Sequence, residues 1–565
     1  MKADTLGLES AGAAPGSVEK ENSSAAEAER DAPPREGRLQ KCFEGASRLG
    51  PLLLICVLAL YVWPAFFGKM LPFPPESESG RILRHVMQQG AWMAPSAGGV
   101  AQFPGLSAFF AIILKFSRYF GETATFQILT ACLGAFCSLL TLLGAWCLSV
   151  AAGFGPRAAL SAGLILLCAP VSALLANFVS PETLAVALTL FSFCCFCRGW
   201  QREGTGPAVP SGFLLAALAA LTGGPYYLFL PFLSSLIFLC WLGRFRRAQK
   251  LDAVLGFALS LVLIAVWLGG VMFWGHAGEY LQQLRDILLP SGNPQAEVWR
   301  RALPDAGVGL LGLFPWLGLV VFVSWPRVVN EAAKSLKAAR AGCSGSAFVW
   351  ISLVCAVLLS PIASGSTGPD VMICCLAALL LGKALLRLSN SGSRFFYLFV
   401  VLCLLVAAAG LTALSFSPSR DWLAQTFHLT LAPGFSDDLA LPGIGLCCLA
   451  AAFILVRFTN LTRPAGSLLA CILLAAVLVQ PVMLWLEPRF WGNYIMLWRR
   501  DGLAVPDKSP AGRPELPPSP ALSTVEPVFE PENAPADQSI SRPQAAERER
   551  SATEDVPEES RRNMP

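Results

Sequence analysis

The sequence predicts an all-α, polytopic membrane protein, and three observations carry that expectation. Hydrophobic residues make up 54% of the 565 positions and charged residues only 14%, with a mean hydropathy of +0.56. A soluble chain of this length needs far more polar surface. The apolar residues are gathered into runs of about 20, the length a helix needs to cross the hydrocarbon core. Backbone polar groups cannot be left bare in lipid, so such runs are helices. Finally, Lys and Arg are concentrated in alternate connections, as expected of a chain that crosses and recrosses a bilayer.

In chain order, residues 1–48 are polar and are expected to form a disordered cytoplasmic tail. The first apolar run follows this polar stretch rather than a signal-like start, so it reads as a retained span. The membrane domain is expected over 49–486, with about thirteen spans. They lie at 50–68, 124–150, 157–177, 182–198, 211–223, 225–243, 252–274, 307–325, 347–364, 371–387, 395–415, 440–457 and 465–486. The pair at 211–243 is one apolar stretch broken by "TGGP", Thr222 to Pro225. Residues 487–565 are polar, Pro-rich and expected to be largely disordered outside the membrane.

The basic connections, among them "RGWQR" (Arg198 to Arg202) and "KALLR" (Lys383 to Arg387), mark the cytoplasmic side if the N-terminus is cytoplasmic. The short loops opposite, "VSPE", "TGGP" and "SPIASGSTGPD", carry neither Lys nor Arg. An odd number of spans then places the C-terminus outside. All three histidines, His85, His276 and His428, fall in outer loops. Tyr226 and Tyr227, at a span boundary, are expected in an aromatic belt. The spans themselves are nearly free of charge, which disfavours a transporter with ionisable groups in mid-span. The small net charge of +4 and the absence of a basic stripe give no footing for nucleic acid.

Of the eighteen cysteines, only Cys42 and Cys343 lie in polar loops. The rest sit in apolar runs as small polarizable packing residues, so no disulfide framework is expected. Cys194, Cys195 and Cys197 have poor spacing for a metal and no neighbouring histidine.

The long first outer loop, 69–123, is more than a connector. It holds "GRILRHVMQQ", which suits a short helix. It also holds "PGLSAFFAIILKFSRYF", Pro104 to Phe120, apolar with Lys115 and Arg118 near its end, which suits a helix lying in the interface. Its opening, "FPPESESGRILRHVMQQGAWMAP", Phe73 to Pro95, sets charges beside bulky apolar groups.

That opening resembles the first outer loop of GT-C class lipid-to-sugar transferases, in particular the 4-amino-4-deoxy-L-arabinose lipid A transferase and protein O-mannosyltransferase-like family. The family's Gly-x-Trp-x-x-Pro turn stands as Gly90, Trp92 and Pro95, followed by Gly99. Glu76 falls on the second acid of the family's acidic pair and Pro75 on the first, with Glu78 two residues on. "QFPGL", Gln102 to Leu106, occupies the Lys-Pro element without its lysine. "FGETATFQ", Phe120 to Gln127, resembles the Phe-Gly element without its arginine. "SPETLAVALTLF" resembles the Asp-led fourth span, with Glu182 for Asp. "ALTGGPYYLFLP" resembles a Thr-Lys-Gly element, with Gly223 where the lysine belongs. "VWRRALPDAGVGLLGLFPW", Val298 to Trp316, resembles a segment running from Leu-Pro to Phe-Pro-Trp. The likeness covers roughly residues 50–320.

The resemblance implies an inner-membrane glycosyltransferase that moves a sugar from a polyprenyl-phosphate carrier to a glycan, lipid or protein acceptor in the cell envelope. The carboxylates on offer for catalysis are Glu76, Glu78 and Glu182. The cations on offer for the lipid phosphate are Arg81, Arg84, His85, Arg300 and Arg301. No cofactor is fixed by the residues, and a divalent metal is left open. Plainer readings stand beside these: solvated loop acids for Glu76 and Glu78, a helix cap for Glu182, and headgroup anchors for Arg300 and Arg301. The alternative functions are a non-catalytic relative that binds a lipid-linked sugar or a partner transferase, and a lipid or sugar transporter.

Overall fold

The computed structural model describes most of residues 49–458; outside it lie 67–77, 120–125, 170–179, 202–205, 246–250, 274–276, 289–309, 361–367, 423–439 and scattered positions within 91–99, 311–344 and 415–421. The span expected at 465–486 and both tails also fall outside the described residues.

The described elements run in chain order α1 (Gly50–Phe66), α2 (Glu78–Gln89), β1 (Ser96–Ala97), β2 (Val100–Ala101), α3 (Pro104–Tyr119), α4 (Phe126–Ala151), α5 (Pro156–Cys168), α6 (Pro181–Gln201) and α7 (Ala208–Gly223). Then follow α8 (Tyr226–Leu242), α9 (Leu251–Phe273), α10 (Ala277–Leu288), α11 (Ser346–Leu359), α12 (Gly368–Leu385), α13 (Asn390–Leu414) and α14 (Ala440–Phe458). A short helical turn over Trp316–Gly318 and Leu319–Phe322 precedes α11. Among the described residues, five helices are long and apolar enough to cross a membrane, and they fall on the expected spans at 124–150, 182–198, 252–274, 371–387 and 395–415. Shorter apolar helices accompany them, including α1, α5, α7, α8 and α11. The chain is a multi-pass, helical membrane protein.

α6 and α12 form the middle of the bundle. The apolar windows of these helices are 72% and 83% buried, against 17% for α9. α6 packs on α3, α4, α7, α8 and α12. Two of its buried hydroxyls are paired with backbone: Thr189 donates to the Ala185 carbonyl at 2.8 Å and Ser192 donates across to Gly212 of α7 at 2.7 Å. Phe348 of α11 is fully buried. It meets Phe193 of α6 and Phe238 of α8 edge-on, with centroids 5.6 and 5.2 Å apart. α9 buries only Ala253, Gly256, Ser260 and Val271. Val262, Val266 and Met272 face outward, so lipid is its main solvent.

The two ends of the bundle differ. At one end Lys383 stacks over the Phe154 ring at 4.7 Å and Gln201 reaches the Ala151 carbonyl at 3.4 Å. The opposite end carries α2, the hairpin and α3. No disulfide joins the described cysteines, and among the described residues no cluster of His, Cys, Asp or Glu is placed to hold a metal.

Candidate functional site

The first loop is a folded unit. α2 sets Ile82, Leu83 and Val86 on one face, the spacing of an amphipathic helix. That face packs with Leu106 and Phe110 of α3, Leu129 and Leu133 of α4, and Leu184 of α6. Gly90 ends the helix with a left-handed φ of 73°, and its N–H donates to the Val86 carbonyl at 2.8 Å. The turn through Trp92 and Pro95 then leads into a two-stranded antiparallel hairpin, Ser96 opposite Ala101 and Ala97 opposite Val100. The strands were not expected from the sequence; the intervening Gly98-Gly99 pair, a favoured two-residue hairpin connection, was their one signal.

Gln102, at the start of the stretch that resembles the Lys-Pro element, ties this unit together. Its side-chain amide donates to Ser79 of α2 at 2.8 Å, and its N–H donates to the Pro95 carbonyl at 2.9 Å. Its own carbonyl accepts from the Tyr280 hydroxyl of α10 at 2.6 Å. Burial pushes the Tyr280 phenol above its ordinary range, so it remains a donor at neutral pH. The Trp267 indole of α9 donates to the Met93 carbonyl at 3.2 Å. Ser107 of α3 lies 2.8 Å from the Trp92 carbonyl.

The unit is seated on the ends of the spans. A Cβ on Gly105 would meet Thr222 of α7, 2.8 Å from its Cα. A Gly105→Val change is therefore expected to lift α3 from α7, at a cost of about 1–3 kcal/mol for overpacking. A melting curve in detergent reads this, and unchanged stability would mean that the loop is not seated there.

At this same end three helices begin beside one another. α6 opens Ser-Pro-Glu: Ser180 accepts from the Glu182 N–H at 3.1 Å and its hydroxyl lies 3.2 Å from Glu182 Oε2. This is an N-cap with an acid in the first turn, where the helix dipole favours negative charge. Glu182 itself is half-buried. α12 opens with Gly368 and Asp370, and Asp370 is buried. α8 opens with Tyr226 and Tyr227, whose rings meet edge-on at 5.1 Å.

The tyrosines correct the aromatic-belt expectation: both are buried in the core, Tyr227 to 1% exposure. The Tyr226 hydroxyl reaches the Ala356 carbonyl at 3.4 Å. Tyr227 runs across to α12. A Cβ on Gly368 would collide with its hydroxyl and would lie 3.3 Å from Glu182 Cβ, so only glycine admits this phenol beside Glu182. Gly223, in the place that the resemblance gives to a lysine, packs against Tyr227 and within 2.7 Å of Ala185 for any added Cβ. Tyr227 occupies the room a side chain would need there.

The other anticipated site residues are placed as follows. Arg84 is exposed and His85 half-buried, on the side of α2 turned away from Leu83 and Val86. Glu78 and Arg81 lie on α2 by backbone, but their side chains are outside the description, as are Glu76, Arg300 and Arg301 altogether. Tyr227, Asp370 and Gln102 were not anticipated. Asp370 had a faint signal, an acid opening a span in a loop without Lys or Arg.

A scan against protein-family models finds no match, and no curated protein matches. Solved structures do. A crystal structure of ArnT from Cupriavidus metallidurans bound to undecaprenyl phosphate superimposes with a TM-score of 0.55 at 19% identity, over 78% of this chain and 77% of that one. The apo state of the same protein gives a TM-score of 0.55 at 19% identity, over 78% of each chain. The seated first loop and the bundle behind it thus make up an ArnT-like fold of the GT-C class.

Proposed function

We propose that the chain is a membrane glycosyltransferase that takes a sugar from a polyprenyl-phosphate carrier and passes it to a cell-envelope acceptor on the outer face. The observation that carries this reading is the folded first loop, seated at the end of the bundle where Glu182 and Asp370 open their helices, within a fold for which ArnT bound to undecaprenyl phosphate is a solved example. The chemistry needs two things. Charge develops on the departing lipid phosphate and must be met by donors. The incoming nucleophile needs a base.

In this reading Glu76 is the base, Glu78 supports it, and Glu182 orients the substrate from the bundle side. Arg81, Arg84, His85, Arg300 and Arg301 are the phosphate partners; an arginine fork grips a phosphate where a lysine offers a point charge. The loop end is taken as the outer face because its short connections carry neither Lys nor Arg.

One observation favours the non-catalytic alternative. Gly223 has no room for a cation, so at that position a phosphate contact is replaced by packing. Both readings require recognition of the lipid phosphate. The purified protein is expected to bind undecaprenyl phosphate saturably and undecaprenol at least tenfold more weakly, since charge-assisted contacts are worth about 1.5–3 kcal/mol. Equal binding of the two lipids would sink the proposal.

A further inference from the structure

Tyr227 poses a physical problem that the fold alone does not answer. Its hydroxyl is fully buried and has no hydrogen-bond partner among the described residues. Leaving a buried hydroxyl unsatisfied costs about 1–3 kcal/mol, and phenylalanine would fill the same space without that cost. The hydroxyl nevertheless lies against Gly368 and beside Glu182, with Asp370 two residues along α12. Gly368 forms the wall against it. Glu182 is half-buried, the side from which a ligand would approach.

The chemistry of these groups selects the ligand they would pair with. The phenol can donate one hydrogen bond, and an ionised carboxylate can only accept. A group placed between them must accept from one and donate to the other, and a hydroxyl does both. A phosphate oxygen only accepts, and two carboxylates repel it. An ammonium can donate to the carboxylates and to the phenol oxygen, which also accepts, but it leaves the phenol hydrogen unpaired.

We infer that Tyr227 and Glu182, with Asp370 alongside, form a subsite for a hydroxyl of the carried sugar: Tyr227 donates to that hydroxyl, and the hydroxyl donates to Glu182. Tyr227 is thus a specificity-determining residue that reads the sugar and not the lipid phosphate. This rests on the reading of the chain as a protein that binds a lipid-linked sugar.

The test compares bare undecaprenyl phosphate with undecaprenyl phosphate carrying a hexose, a pentose or a 2-acetamido hexose, bound to the purified wild type and to Tyr227→Phe. At least one sugar-bearing lipid is expected to bind the wild type more tightly than the bare lipid. Tyr227→Phe should lower that preference about five- to tenfold, the worth of one buried neutral hydrogen bond. Binding of the bare lipid should be unchanged and the melting temperature equal or higher. Should Tyr227→Phe fail to fold, Gly368→Ala keeps the phenol but displaces it, and the same loss of preference is expected. A wild type that binds sugar-bearing and bare lipids alike overturns the subsite and leaves the proposed function standing. So does a preference that survives the substitution. A wild type that binds none of these lipids overturns both.

Discussion

Glu76→Gln is expected to lower sugar transfer about 100- to 10,000-fold, the range for loss of a general base, while expression and melting temperature hold. A loop amide of equal size costs little stability. Glu78→Gln should cost less, because it stands two residues beyond the acid that best matches the family's pair. Glu182→Gln should fall between them, at about 10- to 100-fold, as expected for one hydrogen bond to a charged group. If Glu182 only caps α6, its amide would leave the rate unchanged and lower stability by about 0.3–1 kcal/mol. Full activity in Glu76→Gln, Glu78→Gln and the double variant would remove the loop as the source of the base and leave Glu182 as the remaining carboxylate of the three.

Phe348→Ala carries the largest expected effect on stability, about 3–5 kcal/mol, the cost of emptying a phenyl-sized site in a packed core. The side chain is fully buried between Phe193 and Phe238, which belong to two other helices. Removing it opens a cavity where α6, α8 and α11 meet, and little can collapse into it. Thermal unfolding in detergent measures the loss. A change below about 1 kcal/mol, typical of a volume-conserving swap, would mean that α11 is not wedged between α6 and α8.

Much of this architecture was legible in the sequence because a bilayer imposes simple rules. The long apolar runs at 124–150, 182–198, 252–274, 371–387 and 395–415 became helices, since nothing else satisfies a backbone in lipid. The stretch "GRILRHVMQQ" suggested the helix that is α2, and the apolar run from Pro104 suggested α3. The motif order pointed to the GT-C fold before any geometry was known. What resisted reading was tertiary. An aromatic pair at a span boundary looks like a belt, and only the arrival of Gly368 from α12 shows that Tyr227 is buried against Glu182. Asp370 sits in no local motif, and its place beside α6 and α8 comes from chain folding across many spans. Two-residue strands are too short for alternation to show, so β1 and β2 were hidden. At Gly223, where the resemblance expects a lysine, only the packing of Tyr227 shows that a side chain has no room.

As a transferase, this chain would cleave a sugar from a polyprenyl-phosphate carrier. The most direct measurement is release of free undecaprenyl phosphate from radiolabelled undecaprenyl-phosphoryl sugars, followed by chromatography, with purified protein in envelope-derived lipid as the source of acceptor. Time-dependent release is expected for at least one sugar, with label appearing in an envelope component and both lost in Glu76→Gln. Tight, saturable binding of every lipid in the panel with no release from any would contradict it, and would make the protein a receptor for the lipid-linked sugar instead of a transferase.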